Sequence, residues 1–377
     1  MRVRAAIAEA MRQPFVIEEL ELDEPMGDEV LVRLVATGIC QTDAHVRNGH
    51  LPTPMPIVLG HEGAGIVEGV GPAVTELRRG DHVVLSYLAC GHCRQCFGGH
   101  GAYCAHALAA NFSGSRLDGT RGLHRVGANQ PPVFGHFFGQ SSFATYALAT
   151  QRNAVKVDDA APLELLAPLG CGLQTGAGAI LNSLATRAGD SVAILGVGAV
   201  GFGALLAARM AGAATIIAVD VNPQRLALAR ELGATHTVDA HQADVADAIR
   251  RVRPEGVSQV LDTTGRADML KHAVASLSPL GRVGLVAGAA KDAAVSAESL
   301  AFGKSVRGIV QGDAVPHLFI PLLVQAYLSG RFPIDRLVRF YDFEDIDAAF
   351  AAAAHGDVVK PVLRFETTTT AKKEKTP

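Results

Sequence analysis

The sequence predicts an α/β protein of two domains, one of which is built around a doubly wound parallel sheet. The chain has 377 residues, and at about 150 residues per domain this length suggests two domains. From about Ser191 onward, continuously apolar runs alternate with helical patterns, as expected for parallel strands that are covered on both faces. Before that point, glycine punctuates runs of β-forming residues, which favours a mainly β segment.

The composition excludes several classes of protein. Hydrophobic residues make up 49% of the chain and charged residues 19%, which is ordinary for a globular protein and unlike a disordered, collagenous or disulfide-dense one. The 34 basic and 37 acidic residues leave a formal net charge of −3, so nothing indicates a nucleic-acid or membrane partner. Because Glu9 and Arg12 interrupt any apolar signal segment, we expect a cytoplasmic protein.

Runs of β-forming residues predict strands in the first part of the chain at 29–35 and 63–70, and 80–85 is predicted to be a turn that leads into a strand. Between about 108 and 139, glycine, proline and asparagine are frequent, so we predict a long loop. Such a loop is either a surface excursion or one wall of a binding cleft, because long ordered loops are often functional.

Alternating elements are predicted in the second part of the chain. The run 192–208 carries no charge, but it is short for a membrane span, so a buried strand, a turn and a helix explain it better. The predicted strands are 191–195, 215–219, 259–262, 281–286, 306–310 and 359–365, and the predicted helices are 203–210, 223–232 and 319–329. The tail 367–377 lacks apolar residues, which predicts disorder.

A glycine-rich turn connects the first parallel strand to its helix and reads Gly196-Val197-Gly198-Ala199-Val200-Gly201. In this context, with an acid about 20 residues further on, the pattern strongly indicates dinucleotide binding. The first glycine permits the tight turn, the second lets a pyrophosphate approach the backbone, and the third allows the helix to pack closely on the strand. Glycines that serve packing alone are the alternative.

Asp220 ends the next strand, where an acid accepts hydrogen bonds from the ribose hydroxyls of a bound dinucleotide. The same charge repels a 2′-phosphate, which favours NAD over NADP. Arg225 is predicted either to contact this ribose or to soften the preference for NAD.

Four cysteines share one short segment, at Cys90, Cys93, Cys96 and Cys104. In a chain without a secretory signal, this spacing indicates metal ligation and not disulfide bonds. Zinc binds four thiolates in a tetrahedron, and a closed set of four leaves no position for a substrate, so we predict a structural zinc. An iron–sulfur cluster is the main alternative, and four free buried thiols are another.

The two remaining cysteines, Cys40 and Cys171, are ambiguous by themselves, since a lone cysteine is more often a small buried apolar residue than a ligand. Together with His61 they would supply three ligands of an open metal site. Their separation along the chain does not prove proximity, so the residues alone leave both interpretations open.

Five motifs follow one another along the chain: GICQTDAH (38–45), GHEGAG (60–65), CGHCRQC (90–96), GCGLQTGAG (170–178) and GVGAVG (196–201). Their combination resembles the zinc-dependent medium-chain alcohol dehydrogenases, and the similarity extends from about Ala5 to Phe365. The segments APLGCGLQTGAGAILN, FFGQSSFATYAL and GDAVPHLFIP are most similar to the aryl-alcohol (benzyl alcohol) dehydrogenases of that family. Enzymes that act on allylic terpene alcohols such as geraniol are also similar.

The resemblance implies a catalytic zinc held by Cys40, His61 and Cys171, with a fourth position open for water or alcohol. It also implies that Glu62 is the acidic residue beside that zinc, as a neighbouring group or a transient ligand. Asp43 matches the carboxylate that orients the zinc-bound histidine.

Four further roles follow from the resemblance, and one residue departs from it. Thr42 matches the hydroxyl that takes the alcohol proton, and His45 matches the base that passes it to solvent. Thr175 would contact the nicotinamide, and Lys360 matches a basic residue near the pyrophosphate, with a surface charge as the alternative. Gln41 departs from the pattern, because many family members have a cationic residue or a histidine at this position near the pyrophosphate.

The expected architecture is a GroES-like catalytic domain over 1–174, completed by 312–366, with a Rossmann-type NAD-binding domain over 175–311. The expected activity is reversible, zinc-dependent oxidation of a primary aromatic or allylic alcohol by NAD, with two zinc ions per chain. Five phenylalanines are candidates for the wall of the substrate pocket, with ordinary core packing as the alternative for each: Phe112, Phe134, Phe137, Phe138 and Phe143.

A homo-oligomer, either a dimer or a tetramer, is also expected. Two other functions remain open at this point. One is a thiol-adduct formaldehyde dehydrogenase of the same superfamily, and the other is a zinc- and NAD-binding protein without turnover. An open metal site with a proton relay argues against the second, since a mere binding protein needs neither.

Overall fold

The computed structural model describes residues 1–127, 129–286, 288 and 293–366. The described strands are β1 Arg2–Ala8, β2 Val16–Leu22, β3 Glu29–Gly38, β4 Ile57–Val58, β5 Gly63–Val70, β6 His82–Leu85, β7 Leu123–Arg125, β8 Tyr146–Thr150, β9 Ala154–Lys156, β10 Ser191–Leu195, β11 Thr215–Asp220, β12 His236–Asp239, β13 Val257–Asp262, β14 Leu277–Leu285, β15 Ser305–Gly308, β16 Val338–Asp342 and β17 Lys360–Arg364. The described α-helices are α1 Gln41–Arg47, α2 Arg94–Phe97, α3 Ala107–Phe112, α4 Leu163–Leu166, α5 Gly172–Gly178, α6 Ala199–Met210, α7 Pro223–Glu231, α8 Val245–Val252, α9 Ala267–Ala275, α10 Pro316–Leu328 and α11 Ile346–His355.

Six parallel strands form one sheet in the spatial order β12-β11-β10-β13-β14-β15. Successive side chains of β10 point to opposite faces of the sheet. Val192 and Ile194 pack with α6 on one face. Ala193 and Leu195 pack with α8 and α9 on the other face. The strand order reverses between β10 and β13, and ligands bind beyond the carboxyl ends of the strands at such a switch point. The predicted doubly wound class is confirmed.

Two further sheets make up the mainly β part of the chain. One has the order β4-β1-β2-β7, and the other has the order β16-β17-β3-β5-β6-β9 with β8 also paired to β3. The antiparallel pairing of β17 with β3 places Val362 opposite Gly38, so the end of the chain completes a sheet that begins near its start. The predicted domain boundaries at 174/175 and 311/312 stay predictions.

The predicted strands 63–70 and 191–195 are confirmed with those bounds. α6 begins at Ala199 and not at 203, because the helix starts inside the glycine-rich motif. The prediction of a continuous loop over 108–139 is wrong, since this stretch includes most of α3 and all of β7, which pairs with β2. The tail 367–377 lies outside the described residues.

The uncharged run 192–208 consists of β10, the glycine-rich turn and most of α6. Within the part of the chain that the structure describes, no helix combines the length and the apolar character that a membrane crossing requires.

Two glycines let α5 and α6 cross at backbone distance. A Cβ added at Gly176 would stand 1.8 Å from the carbonyl oxygen of Val200, and one added at Gly203 would stand 2.7 Å from that of Leu173. Because α5 follows Cys171 and α6 follows the glycine-rich turn, this crossing fixes the two functional segments relative to each other.

Replacement of Gly176 tests this contact. Gly176→Ala forces a methyl group against a backbone carbonyl, and such overpacking costs about 1–3 kcal/mol, more than the gain in helix propensity of about 1 kcal/mol. The melting temperature followed by circular dichroism should fall by several degrees. Gly308→Ala is the control, because a Cβ at Gly308 meets nothing within 4 Å. An equal melting temperature for the two variants would contradict the close crossing.

Candidate metal and dinucleotide site

Three separate segments bring a group of potential metal ligands together. Cys40 lies between β3 and α1, His61 and Glu62 lie between β4 and β5, and Cys171 directly precedes α5. The ligand atoms of these four residues lie within 4.8 Å of one another, and His61 and Glu62 are fully buried. The structure therefore places the predicted ligands Cys40, His61 and Cys171 side by side.

The buried carboxylate of Asp43 orients two of these ligands. It accepts hydrogen bonds from the backbone N–H of Cys40, the backbone N–H of Gly60 and Nδ1 of His61, each at 3.0 Å. A carboxylate accepts here, so in the neutral imidazole Nδ1 carries the proton and Nε2 keeps its lone pair. This Nε2 is buried and has no hydrogen-bond partner among the described residues. An orphaned imidazole nitrogen beside two thiols fits a zinc ion.

A buried ion pair adjoins this cluster. Nζ of Lys360 lies 2.5 Å from Oε2 of Glu62 and donates a hydrogen bond to the carbonyl of Ile39 at 2.8 Å. Lys360 is only 2% exposed, so the alternative of a surface charge is wrong. Burial raises the pKa of Glu62 to about 7, and the charge of Lys360 opposes that rise. A contact between Lys360 and a pyrophosphate stays a prediction.

The four other cysteines form a second cluster after β6. Their sulfurs lie within 4.8 Å of one another, at 3.5 Å for Cys93–Cys96, 3.9 Å for Cys90–Cys96 and 4.0 Å for Cys93–Cys104. Four thiolates about 2.3 Å from one zinc ion stand roughly 3.8 Å apart. None of the four is in a disulfide, so the cluster fits a tetrahedral metal.

The glycine-rich turn leaves space for a ligand at Gly198 and packs tightly at Gly201. Gly196 has φ +86°, and a Cβ at Gly201 would stand 2.0 Å from the carbonyl oxygen of Gly196. A Cβ at Gly198 would meet nothing within 4 Å, which leaves the backbone open to a pyrophosphate. Asp220 ends β11 and accepts a hydrogen bond from the N–H of Val197 at 2.8 Å. The turn and the predicted ribose-binding acid are therefore joined directly.

The other residues with predicted cofactor contacts are spread over four helices. Val200 lies in the first turn of α6, and Thr175 lies in α5 with 6% exposure. Arg225 lies in α7 with its guanidinium beside Gly356. Gln41 is the exposed first residue of α1. Their contacts with a dinucleotide stay predictions.

The two residues of the predicted proton relay both lie in α1. Oγ1 of Thr42 is 3.8 Å from Sγ of Cys40, which places this hydroxyl at the ligand cluster. His45 lies one helical turn further on and is half-buried, and its ring centroid is 5.6 Å from that of His50. The path of a proton between them stays a prediction.

Three of the five candidate phenylalanines lie near His61. The ring of Phe138 stacks on the imidazole with centroids 4.4 Å apart, and Phe137 meets the imidazole edge-on at 5.6 Å. Phe112 packs against Phe138 at 5.1 Å. These rings form an apolar wall beside the ligand cluster, which we call the aromatic wall (Phe112, Phe137 and Phe138).

The other two candidates lie elsewhere. Phe143 packs between Phe15 and Phe350 in the core, with both centroid distances at 5.9 Å. Phe134 packs under the guanidinium of Arg121. For Phe143 the structure favours the alternative of core packing, because aromatic composition does not reveal which side of a segment faces the site.

Sequence reasoning missed one residue of the site, Gln311. Its Nε2 lies 3.5 Å from Sγ of Cys171, and its Oε1 lies 3.4 Å from Oγ1 of Thr175. Gln311 could have been found in the sequence from its position just after the last predicted strand of the parallel sheet, because the carboxyl ends of such strands carry ligand-binding residues.

Two family models match separate parts of this chain. The alcohol dehydrogenase GroES-like domain matches residues 26–159, which include Cys40, His61 and the four-cysteine segment. The zinc-binding dehydrogenase model matches residues 199–325.

Three proteins with known names or structures are similar over nearly the whole chain. Geraniol dehydrogenase from Castellaniella defragrans is 47% identical over 367 residues, covering 96% of this chain and 97% of that protein. The structure of an alcohol dehydrogenase zinc-binding domain protein from Burkholderia ambifaria is 54% identical with a TM-score of 0.94, and covers 97% of this chain and 100% of that one. The structure of benzyl alcohol dehydrogenase from Acinetobacter calcoaceticus is 44% identical with a TM-score of 0.92 and the same coverage.

Removal of the Asp43 carboxylate tests its role as the organiser of the ligands. Asp43→Ala leaves three donors without their acceptor, and each buried unsatisfied group costs about 1–3 kcal/mol. The free energy of unfolding, measured by urea titration, should therefore fall by about 3 kcal/mol or more. Asp159→Ala at an exposed position should change it by less than about 0.5 kcal/mol. A loss below about 1 kcal/mol for Asp43→Ala would contradict the assigned network.

Proposed function

The chain belongs to the zinc-dependent medium-chain alcohol dehydrogenase family, and from this membership we propose that it oxidises a primary allylic or aromatic alcohol to the aldehyde with NAD as hydride acceptor. The observation that carries the proposal is Nε2 of His61, which is buried near the thiols of Cys40 and Cys171 and has no hydrogen-bond partner among the described residues. The imidazole that carries it stacks on Phe138. Three protein ligands leave a fourth position for substrate, as in catalytic zinc sites.

We propose two zinc ions per chain, one at each cysteine cluster. The four-cysteine zinc would stabilise its lobe, because a closed set of ligands has no position for an alcohol. At the other site, zinc would polarise the alcohol oxygen and lower its pKa towards neutrality. Asp43 holds the imidazole of His61 in the tautomer that this site needs.

The proton of the alcohol would leave along α1. Thr42 lies at the ligand cluster, 3.8 Å from the sulfur of Cys40, and would accept this proton first. His45 lies one turn along the same helix and would pass the proton to solvent. Bound NAD⁺ would supply the hydride acceptor, so that alcohol and NAD⁺ would become aldehyde, NADH and one proton. The protein's contribution is to align the two reacting carbons and to exclude water.

The dinucleotide would lie along the carboxyl end of the parallel sheet. Gly198 leaves the backbone of the turn open and is the N-cap of α6, so the unpaired amides at the start of that helix would suit a pyrophosphate. Asp220 would bind the ribose hydroxyls and reject a 2′-phosphate. Thr175 would contact the nicotinamide, and Gln41, Arg225 and Lys360 are proposed to complete the cofactor site.

The aromatic wall supports the proposed substrate class. Phe138 and Phe112 present apolar faces next to the ligand cluster, and planar allylic or benzylic groups stack well on such rings. The names of two similar proteins, geraniol dehydrogenase and benzyl alcohol dehydrogenase, point to the same kind of alcohol.

We also propose that the protein is a homo-oligomer, either a dimer or a tetramer, with a cytoplasmic location. Two large apolar side chains, Leu280 and Phe302, are 78% and 80% exposed beside β15, which is an edge strand of the parallel sheet. Exposed apolar groups at a sheet edge favour association.

Turnover assays on wild-type protein and Cys171→Ser test this function. The wild-type protein should reduce NAD with geraniol and benzyl alcohol at a far higher kcat/KM than with ethanol, as followed by NADH absorbance. Cys171→Ser should keep the fold and one zinc ion per chain but lose most turnover, because only the catalytic site loses a ligand. Cys93→Ser is the comparison variant and should impair folding, since structural zinc contributes directly to stability.

Wild-type activity in Cys171→Ser would contradict the catalytic metal. Activity confined to formaldehyde plus a thiol would favour the thiol-adduct formaldehyde dehydrogenase, and no turnover with any alcohol would favour a binding protein without catalysis.

Asp220→Ser tests the choice of cofactor. Loss of a charged hydrogen bond to the ribose costs on the order of 1.5–3 kcal/mol, or roughly 10- to 150-fold in kcat/KM for NAD, while the repulsion of NADP is relieved. The ratio of kcat/KM values for NAD and NADP should therefore shift strongly towards NADP. Asp239→Ser, at the end of the neighbouring strand β12, is the control. If Asp220→Ser leaves the ratio unchanged, Asp220 does not select the cofactor.

A further inference from the structure

A left-handed turn follows β15 where the chain leaves the parallel sheet. Gln311, Gly312 and Asp313 have φ values of +51°, +65° and +51°. For the two residues other than glycine this conformation is uncommon and costs of order 1 kcal/mol or more each. Such strain persists only where surrounding contacts impose it, and it is concentrated at functional sites.

The turn is seated directly on α5. A Cβ at Gly312 would stand 2.7 Å from the carbonyl oxygen of Thr175 and 2.8 Å from Cα of Gly178. The carbonyl of Gly312 also accepts a hydrogen bond from Nδ2 of Asn182 at 3.1 Å. Because α5 begins directly after Cys171, the turn has a fixed position relative to that thiol.

Asp313 holds the turn from the opposite side. Its carboxylate accepts a hydrogen bond from the hydroxyl of Tyr103, the neighbour of Cys104 in the four-cysteine lobe. It also forms an ion pair with Arg307 of β15 at 2.7 Å. The strained backbone is therefore clamped between the lobe, the parallel sheet and α5.

The clamped turn places the carboxamide of Gln311 next to Cys171. The residues around this carboxamide determine whether its nitrogen or its oxygen faces the sulfur. The carbonyl of Gly170 can only accept, so Gln174 must direct its Nε2 towards it, at 3.3 Å. The same Nε2 lies 3.2 Å from Oε1 of Gln311, and Oγ1 of Thr175 lies 3.4 Å from that oxygen. Nε2 of Gln311 is therefore the end that donates to Sγ of Cys171, at 3.5 Å.

We infer that Gln311 is a positioning residue, whose amide N–H fixes and polarises the Cys171 thiolate of the catalytic metal site. This inference rests on the proposed function, because it assigns a metal to that thiolate. An N–H···S hydrogen bond withdraws charge from the sulfur, so the thiolate donates less to the metal and the metal keeps more of its positive charge. Groups that hydrogen-bond to metal ligands in this way usually change metal affinity or activity 10- to 100-fold when removed.

Gln311→Asn separates the amide contact from the backbone strain. Asparagine adopts the left-handed region more readily than glutamine, so the turn keeps its shape, but its amide is one methylene too short to reach Cys171. Gln311→Met is a second variant, of similar length and without an N–H. Gln325→Asn in α10, where the exposed amide contacts Asp158, is the matched control.

Zinc release from the holoenzyme to a chromogenic chelator provides the first readout. Zinc should leave the wild-type protein in two kinetic phases, one for each site. The phase that is missing in Cys171→Ser is the release of zinc from the catalytic site. In Gln311→Asn and Gln311→Met the sulfur of Cys171 is no longer held in place, and this loss of positioning outweighs its stronger donation to the metal. This phase should therefore be about 10-fold faster or more, while the phase from the four cysteines and both phases of Gln325→Asn keep their wild-type rates. If wild-type protein has no Cys171-dependent phase, the proposed function is wrong. If that phase exists and both Gln311 variants leave it unchanged, the inference about Gln311 is wrong.

The cobalt-substituted enzyme provides the second readout. Loss of the N–H···S bond raises the energy of the sulfur lone pair, so the thiolate-to-cobalt charge-transfer band should move to longer wavelength in both Gln311 variants and not in Gln325→Asn. A turn that had merely loosened would release zinc faster without moving this band. Faster release with an unshifted band would therefore overturn the assigned contact with the sulfur.

Discussion

The buried carboxylate of Asp43 is the interaction on which the geometry of the ligand cluster depends. It accepts from Cys40, from Gly60 and from the imidazole of His61, and so it joins the start of α1 to the loop that follows β4. No other acceptor is needed for these donors, and the tautomer of His61 is fixed as a result. A buried carboxylate with fewer partners would raise the free energy of the folded state instead of organising a site.

The second constraint is the position of α5 between the two parts of the chain. Its first turn follows Cys171, its Gly176 allows α6 to approach at backbone distance, and the turn at Gly312 rests on its other end. The carboxyl end of the parallel sheet and the proposed metal ligands therefore meet along one short helix. Proximity of these groups is what hydride transfer between an alcohol and a nicotinamide requires.

Local patterns were sufficient to predict the class of the fold and some of its strands, but not others such as β1, β2, β12 and β16. The strands 63–70 and 191–195 are bounded by glycines and charged residues, so the positions of their ends could be predicted from the sequence. The four-cysteine cluster was predictable for the same reason, because its ligands are close in the chain. The Cys40–His61–Cys171 cluster depended on the family resemblance, since spacing cannot show that distant residues meet.

Tertiary contacts account for what the sequence did not reveal. Phe143 belongs to the core and Phe138 to the aromatic wall, although both lie in one aromatic segment. The burial of Lys360 against Glu62 and the contact of Gln311 with Cys171 likewise depend on how distant segments pack.

Anomalous X-ray diffraction above and below the zinc absorption edge, on crystals of zinc-loaded protein, tests the central claim most directly. The account predicts two peaks per chain, one among Cys40, His61 and Cys171 and one among the four clustered cysteines; a peak at the four cysteines alone would contradict it.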